Sequence, residues 1–249
     1  QDLDLDGRVD VRGYSGGFVA FAGYDPGTGS MRTPTITNIP VGHSFHGFNA
    51  LDTDGYPDAV SVANGQVQLR RQISPFDGTT FRIDHTEPLS ACQTVRLVKD
   101  LNGDGTADIL VADAYTTTPC PDSDFFIMST PGTSSFTKVM PATIGLPRYL
   151  NHPKIKFVDL NEDGLLDVAR VSGLYVSHDA DVDTNDAVSG VWMNTAGAFR
   201  YVPAGIPQRK GYAYVVADVD GDGREEFLAT VSPVAVNKNG TTGRSSPWS

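Results

Sequence analysis

Short runs of alternating apolar and polar residues, five to seven positions long and bounded by Gly, Asp or Pro, recur along the chain and predict strands rather than helices. They come in pairs around acidic segments. CQTVRLVKD, KIKFVDL and YAYVVADVD lead into such a segment, whereas VDV, DAVSV, DILVA, DVARV and EFLATV follow one. Each acidic segment is therefore expected to be the turn of a β-hairpin. In the second unit the pattern predicts strand A over 45–51, strand B over 58–64, a tight turn at Asn64-Gly65, strand C over 66–72 and strand D around 79–85. Four antiparallel strands in about 50 residues make one propeller blade. The expected fold is thus all-β: a propeller of four-stranded antiparallel blades in a single array over residues 1–249.

The acidic segments are copies of one nonapeptide, D-x-[DN]-x-D-G-x-x-[DE]: DLDLDGRVD, ALDTDGYPD, DLNGDGTAD, DLNEDGLLD and DVDGDGREE. From Asp6 to Asp54, Asp104, Asp163 and Asp222 the steps are 48, 50, 59 and 59 residues. This spacing suits a hard cation that takes about six to eight oxygens, because alternate residues of a tight loop aim their side chains at one point. Positions 1, 3, 5 and 9 supply carboxylate or amide oxygens, position 7 a backbone carbonyl, and the glycine at position 6 allows the sharp turn. The candidate calcium ligands are Asp2, Asp4, Asp6, Asp10 and the Arg8 carbonyl in copy one, and Asp52, Asp54, Asp58 and the Tyr56 carbonyl in copy two. Copy three offers Asp100, Asn102, Asp104, Asp108 and the Thr106 carbonyl, and copy four Asp159, Asn161, Asp163, Asp167 and the Leu165 carbonyl. Copy five offers Asp218, Asp220, Asp222, Glu226 and the Arg224 carbonyl. Zinc would want His or Cys, which none of the loops contains. An EF-hand would need Glu at position 12, where Gly13, Ser61, Val111, Arg170 and Ala229 stand.

Charge strengthens the metal reading: 17 of the 30 Asp and Glu residues occupy ligand positions of these loops. Five divalent ions would bring the formal net charge from −11 to −1, and without them the carboxylates repel, so folding is expected to depend on four or five Ca²⁺. A sequence pI of 4.7 without a basic cluster argues against nucleic acid or an anionic membrane as partner, and no apolar run is long enough to span a bilayer. Loops of this modest kind need the millimolar calcium found outside cells. Cys92 and Cys120 fit one disulfide in that compartment, the bland alternative being two buried thiols. By loop entropy such a bond would contribute about 3–4 kcal/mol. The sequon Asn239-Gly240-Thr241 changes nothing by itself.

The blade pattern, the Asn64-Gly65 turn and the stretch VWMNTAGAFRYVPAGIP resemble the FG-GAP or VCBS repeats of integrin α-chain propellers and many secreted bacterial proteins. The resemblance runs along essentially the whole chain, and it implies a calcium ligand at position 1. Copy two departs from that pattern with Ala50, so its site is expected to be weaker, or completed by water or Asn49. Copy five departs with Glu226 at position 9, where Asp is usual. Three complete blades flanked by two partial ones are expected. Either the termini complete each other's blade, or the chain is part of a longer propeller.

Alignment of the copies places extra residues between strands B and C of blades three and four, at 116–124 and 174–189. These loops would emerge opposite the calcium loops and share one rim, where binding is usually built. The leading expectation is therefore a non-catalytic, calcium-dependent recognition or adhesion module, secreted or on a cell surface, that binds a protein or glycan there. The alternatives are a calcium-dependent lectin using Tyr24, Tyr115, Tyr175, Trp192 or Tyr201, a lyase-like enzyme, or a structural segment of an RHS/SpvB-like toxin shell. Other signals are weaker. Asp179, Asp181, Asp183 and Asn185 alternate but lack the position-6 glycine. The G-x-S-x-G string Gly13–Gly17 falls between two strands, where a hairpin turn is expected rather than a nucleophile elbow. His43 and His46 read as polar residues of a connection rather than as a metal pair.

Overall fold

The structure is a computed structural model that describes Leu5 and residues 8–40, 44–72, 79–113, 124–130, 135–147, 150, 155–170, 190–202, 211–217, 226–231, 235–236 and 242–243. It forms two compact units, Gln1–Ile144 and Gly145–Ser249. In the first, β1 (Val11–Ser15) and β2 (Phe18–Ala22) precede a small ribbon of β3 (Tyr24–Asp25) and β4 (Ser30–Met31). β5 (Thr35–Pro40) then joins β2, making a three-stranded antiparallel sheet. The second sheet is the meander β6 (Ser44–Asn49), β7 (Asp58–Ala63), β8 (Gln66–Gln72) and β9 (Phe81–Pro88). The third is β10 (Gln93–Lys99), β11 (Asp108–Asp113), β12 (Phe125–Ser129) and β13 (Phe136–Val139), followed by a 3₁₀ turn, Pro141–Ile144.

The second unit repeats the same meander in β14 (Ile155–Val158), β15 (Asp167–Arg170), β16 (Gly190–Thr195) and β17 (Ala198–Val202). β18 (Gly211–Ala217) pairs with β19 (Glu226–Val231), and β20 (Ala235–Val236) with β21 (Thr242–Gly243). The all-β expectation is met. Every described strand pair is antiparallel, and the described residues contain no α-helix. None of their helices is long and apolar enough to cross a membrane.

Hydrophobicity on both faces explains the strands at the heart of each meander. In β7, Val60 packs with Leu51, Leu69, Ile109 and Ile127, joining the second sheet to the third, while its neighbour Ala59 points the other way to Val19, Ile39 and Phe81 of the first and second sheets. A strand covered on both faces reads as a nearly continuous apolar run, as DAVSVA and DILVA do. Polar ties accompany this packing. Asn38 of β5 accepts from the Phe81 amide at 2.9 Å and donates to the Phe81 carbonyl at 3.1 Å, and the Ala107 amide donates to the Ala50 carbonyl at 2.7 Å. In the second unit Val158, Ala169 and Val191 form the buried cluster of the fourth sheet.

Two-residue turns with both φ values positive match the twist of the flanking strands. They occur at Gly16-Gly17, Asn64-Gly65 and Ala196-Gly197. Ser15 of the G-x-S-x-G string thus ends β1 and enters a hairpin, which bears out the expected reading. His46 is the extra residue of a bulge in β6, where Phe45 and Gly47 face Ser61 and Val60 in turn; His43 lies outside the described residues.

At φ +50° Ala196 carries the penalty of a left-handed side-chain-bearing residue, about 1–2 kcal/mol. Ala196→Gly should therefore raise the unfolding free energy by about 1 kcal/mol in urea titrations, since glycine's own entropy offsets part of the relief. A loss of stability would show that the turn is not strained.

Candidate metal centres

Each acidic nonapeptide for which the structure describes every residue joins the first strand of a meander to the second, and its last aspartate opens the second strand. Asp58, Asp108 and Asp167 are fully buried, at 0% exposure. One carboxylate oxygen of each accepts the amide of the residue seven positions earlier: Leu51, Leu101 and Leu160, all at 2.9 Å. The other accepts an amide from the third strand: Gln72 at 2.9 Å, Ser129 at 2.8 Å and Asn194 at 2.7 Å. The position-9 side chain is thus a clasp between the start of the loop and the adjacent strand. This role was not visible in the motif, which suggested only a metal ligand. The two assignments are compatible, because each carboxylate oxygen keeps a further lone pair.

Within the loops, short side chains organise the backbone through Asx-type turns. The position-3 oxygen accepts the position-5 amide (Asp52 from Asp54, 3.0 Å; Asn102 from Asp104, 3.0 Å; Asn161 from Asp163, 3.3 Å). The position-5 carboxylate accepts the position-7 amide (Asp54 from Tyr56, 2.8 Å; Asp104 from Thr106, 2.8 Å; Asp163 from Leu165, 2.9 Å). Position 1 closes the loop where it is aspartate: Asp100 accepts the Gly103 and Gly105 amides at 2.7 and 2.8 Å, and Asp159 the Gly164 amide at 2.9 Å. The glycine at position 6 is left-handed in all three loops, at φ +84° to +86°.

Two residues that the motif does not mark complete the frame. Ser129 Oγ donates to Asp104 at 2.7 Å and to Asp108 at 3.0 Å, tying β12 to two loop carboxylates. Asn194 donates its side-chain amide to the Leu166 carbonyl at 3.0 Å and accepts from Gly197 at 2.9 Å. Strand register brings both residues to the loops; Asn194 lies in the VWMNTAGAF stretch already singled out, whereas no local pattern marks Ser129.

Electrostatics divides the carboxylates. Burial pushes Asp58 up to about 7, with the nearby Asp52 and Asp54 charges adding to the shift against its two backbone hydrogen bonds. Asp108 is pushed up to about 6 by burial, and Asp167 is raised for the same reason. For Asp104 burial works upward too, but hydrogen bonds from Thr106 and Ser129 outweigh it and hold the carboxyl below its ordinary value.

The donor chemistry of loops three and four fits a hard cation. Asp100, Asn102 and Asp104, and likewise Asp159, Asn161 and Asp163, place oxygen donors at positions 1, 3 and 5. Asp159 Oδ1 is buried and accepts no hydrogen bond, as expected of an oxygen that a cation would satisfy. Among the described residues no three Asp, Glu, His or Cys side chains are gathered into one coordination group. Binding would accordingly turn loop oxygens from N–H partners toward the ion. In loop one Arg8 and Asp10 are described, Asp10 being buried, while Asp2, Asp4 and Asp6 lie outside the described residues, as do Asp218, Asp220, Asp222 and Arg224 of loop five. Glu226 opens β19.

Cys92 precedes β10, its Sγ 3.3 Å from Ser90 Oγ, and Cys120 lies outside the described residues. So do the Asp179–Asn185 segment, Tyr115 and Tyr175. Trp192 is buried and stacks at a tilt on its cross-strand partner Tyr201, with centroids 5.3 Å apart, so this pair serves packing.

Residues 100–169 match the FG-GAP-like repeat. The matched segment runs from the third acidic loop through the fourth. No curated protein matches the chain.

The raised carboxyl groups fix a pH signature for metal-free protein. Because the folded pKa of Asp58 exceeds its reference value, its contribution is fully present below about pH 4 and is lost as pH rises through about 7. His46 and His85, lowered chiefly by burial, act in the opposite sense up to pH 6.5. The aspartate is isolated by Asp58→Asn, which in EDTA should destabilise the protein more at pH 4.5 than at pH 7 by urea titration. An equal or larger effect at pH 7 would contradict the assignment.

Proposed function

From the FG-GAP-like repeat at residues 100–169, we propose that the chain is a non-catalytic, calcium-binding recognition module of propeller type, in which calcium is structural. Asp100, Asn102 and Asp104, with the Thr106 carbonyl, and Asp159, Asn161 and Asp163, with the Leu165 carbonyl, hold two of the ions. Asp108 and Asp167 support these sites while clasping the third strands. Loops one and five, with Asp2, Asp4, Asp6 and Asp10 and with Asp218, Asp220, Asp222 and Glu226, hold further ions. Each ion would draw together three or four carboxylates that otherwise repel at the end of a hairpin. A requirement for millimolar calcium fits a secreted or cell-surface setting, in which a Cys92–Cys120 disulfide would pin the 114–123 segment.

One observation carries the recognition reading. The long segments 114–123 and 171–189 both join the second strand of a meander to the third, at the end of the sheet opposite its acidic loop. Metal and ligand would thereby be separated: the cation stiffens one end of the sheet, and the longest connections leave from the other. A sugar-stacking role gains no support from Trp192, which is spent on packing.

The test is to probe arrays of secreted proteins and of glycans with the folded chain, in millimolar calcium and in EDTA, beside a variant with residues 174–186 replaced by a short Gly-Ser turn. Protein binding that requires calcium and is lost in the variant is expected. Unchanged binding by the variant would remove the proposed surface, and binding to glycans alone would favour a lectin.

A further inference from the structure

The second acidic loop departs from the others in three linked ways. It carries Ala50 where Asp100 and Asp159 stand, so no carboxylate accepts the amides of positions 4 and 6. Its fourth residue, the β-branched Thr53, is not left-handed, whereas Leu5, Gly103 and Glu162 at the same position have φ of +60°, +77° and +59°. And an arginine reaches into it. Arg71 is only 5% exposed, and its guanidinium lies 3.4 Å from Asp52 and 3.3 Å from Asp84. It also donates to the Leu51 carbonyl at 3.4 Å and stands 5.6 Å from the centre of the Phe136 ring.

Strand register identifies what replaces Arg71 elsewhere. Ala59 faces Arg70, Ile109 faces Ile127 and Val168 faces Trp192, so the residue opposite the position-9 aspartate is Arg71 in repeat two, Met128 in repeat three and Met193 in repeat four. A neutral thioether accompanies the loops with aspartate at position 1; the guanidinium accompanies the loop without it. Among the described residues no Lys or Arg pairs with Asp100, Asp104, Asp159 or Asp163.

We propose that Arg71 takes the cation's place in the second repeat, so that loop 50–58 folds without calcium while its sister loops take the ion. A guanidinium held by two carboxylates, a carbonyl and a ring face is a fixed, fully charged counter-ion that neither pH nor chelation removes. Its charge beside Asp52 repels a divalent ion at the point where the position-3 ligand would have to bind. This overturns, for Asp52, Asp54, Tyr56 and Asp58, the metal assignment that the motif suggests. It rests on calcium being held by loops three and four.

The test counts calcium bound per full-length chain by equilibrium dialysis and native mass spectrometry. Asp54→Asn, an exposed change that keeps an acceptor for the Tyr56 amide, should leave the wild-type count and affinity unchanged to within twofold. Asp104→Asn should remove one ion or weaken one site at least tenfold. The pair Ala50→Asp with Arg71→Met, which installs the residues of the sister repeats, should add one ion; should that variant fail to fold by circular dichroism, the comparison of Asp54→Asn with Asp104→Asn decides alone. Loss of one ion in both single variants would overturn the proposal and leave the calcium reading intact. No calcium on the wild-type chain would overturn that reading, and the contrast between loops with it.

Discussion

A buried carboxylate that accepts one amide from the start of its own loop and one from the neighbouring strand is the constraint on which each fully described repeat depends. In Asp58, Asp108 and Asp167 the hydrogen-bond lengths fall between 2.7 and 2.9 Å, and every one of these side chains is removed from water. Leaving a buried amide unpaired costs about 1–3 kcal/mol, so losing one such aspartate affects two groups at once. The clasp sets where the second strand starts, and therefore where the acidic loop ends. It also brings the third strand beside the loop, which is how Ser129 comes to touch Asp104 and how Arg71 comes to touch Asp52.

Burial makes this clasp electrostatically expensive, and the position-5 aspartates add charge nearby, as the raised carboxyl groups of Asp58 and Asp108 record. Two solutions to that cost are built into one scaffold. In repeats three and four the oxygen donors at positions 1, 3 and 5 suit a cation taken from solution, which on the proposed reading would couple folding to calcium. In repeat two the chain supplies its own positive charge from β8. A module with both kinds of repeat would keep part of its array folded when calcium is scarce, and tighten the rest when calcium is abundant.

Much of this was legible before any coordinates. The period of the acidic nonapeptides and the alternation around them indicated antiparallel four-stranded units, and the predicted strand 66–72 coincides with β8. The turn at Asn64-Gly65 follows from residues that accept positive φ, whereas Ala196-Gly197 takes the same geometry against the preference of its alanine. What the sequence concealed was set by register. The loop motif cannot distinguish a position-9 oxygen that faces a metal from one that faces two amides. In QVQLRRQ the alternation puts Arg71 on the face of Val67 and Leu69, but only register shows that Asp52 and Asp84 hold it there.

The most direct test of the clasp compares the unfolding free energies of Asp108→Ala and Asp104→Asn with that of the wild type, in EDTA and in saturating calcium at neutral pH. Both aspartates belong to the same acidic motif, but only Asp108 accepts the buried amides of Leu101 and Ser129, whereas Asp104 meets β12 through the Ser129 hydroxyl alone. The account predicts that Asp108→Ala loses about 2–4 kcal/mol in both conditions, since two buried amides lose their acceptor whatever the metal does. Asp104→Asn should cost little in EDTA and forfeit most of the stability that calcium adds. If Asp108→Ala proved as mild as Asp104→Asn in EDTA, the carboxylate would not be what holds the repeat together.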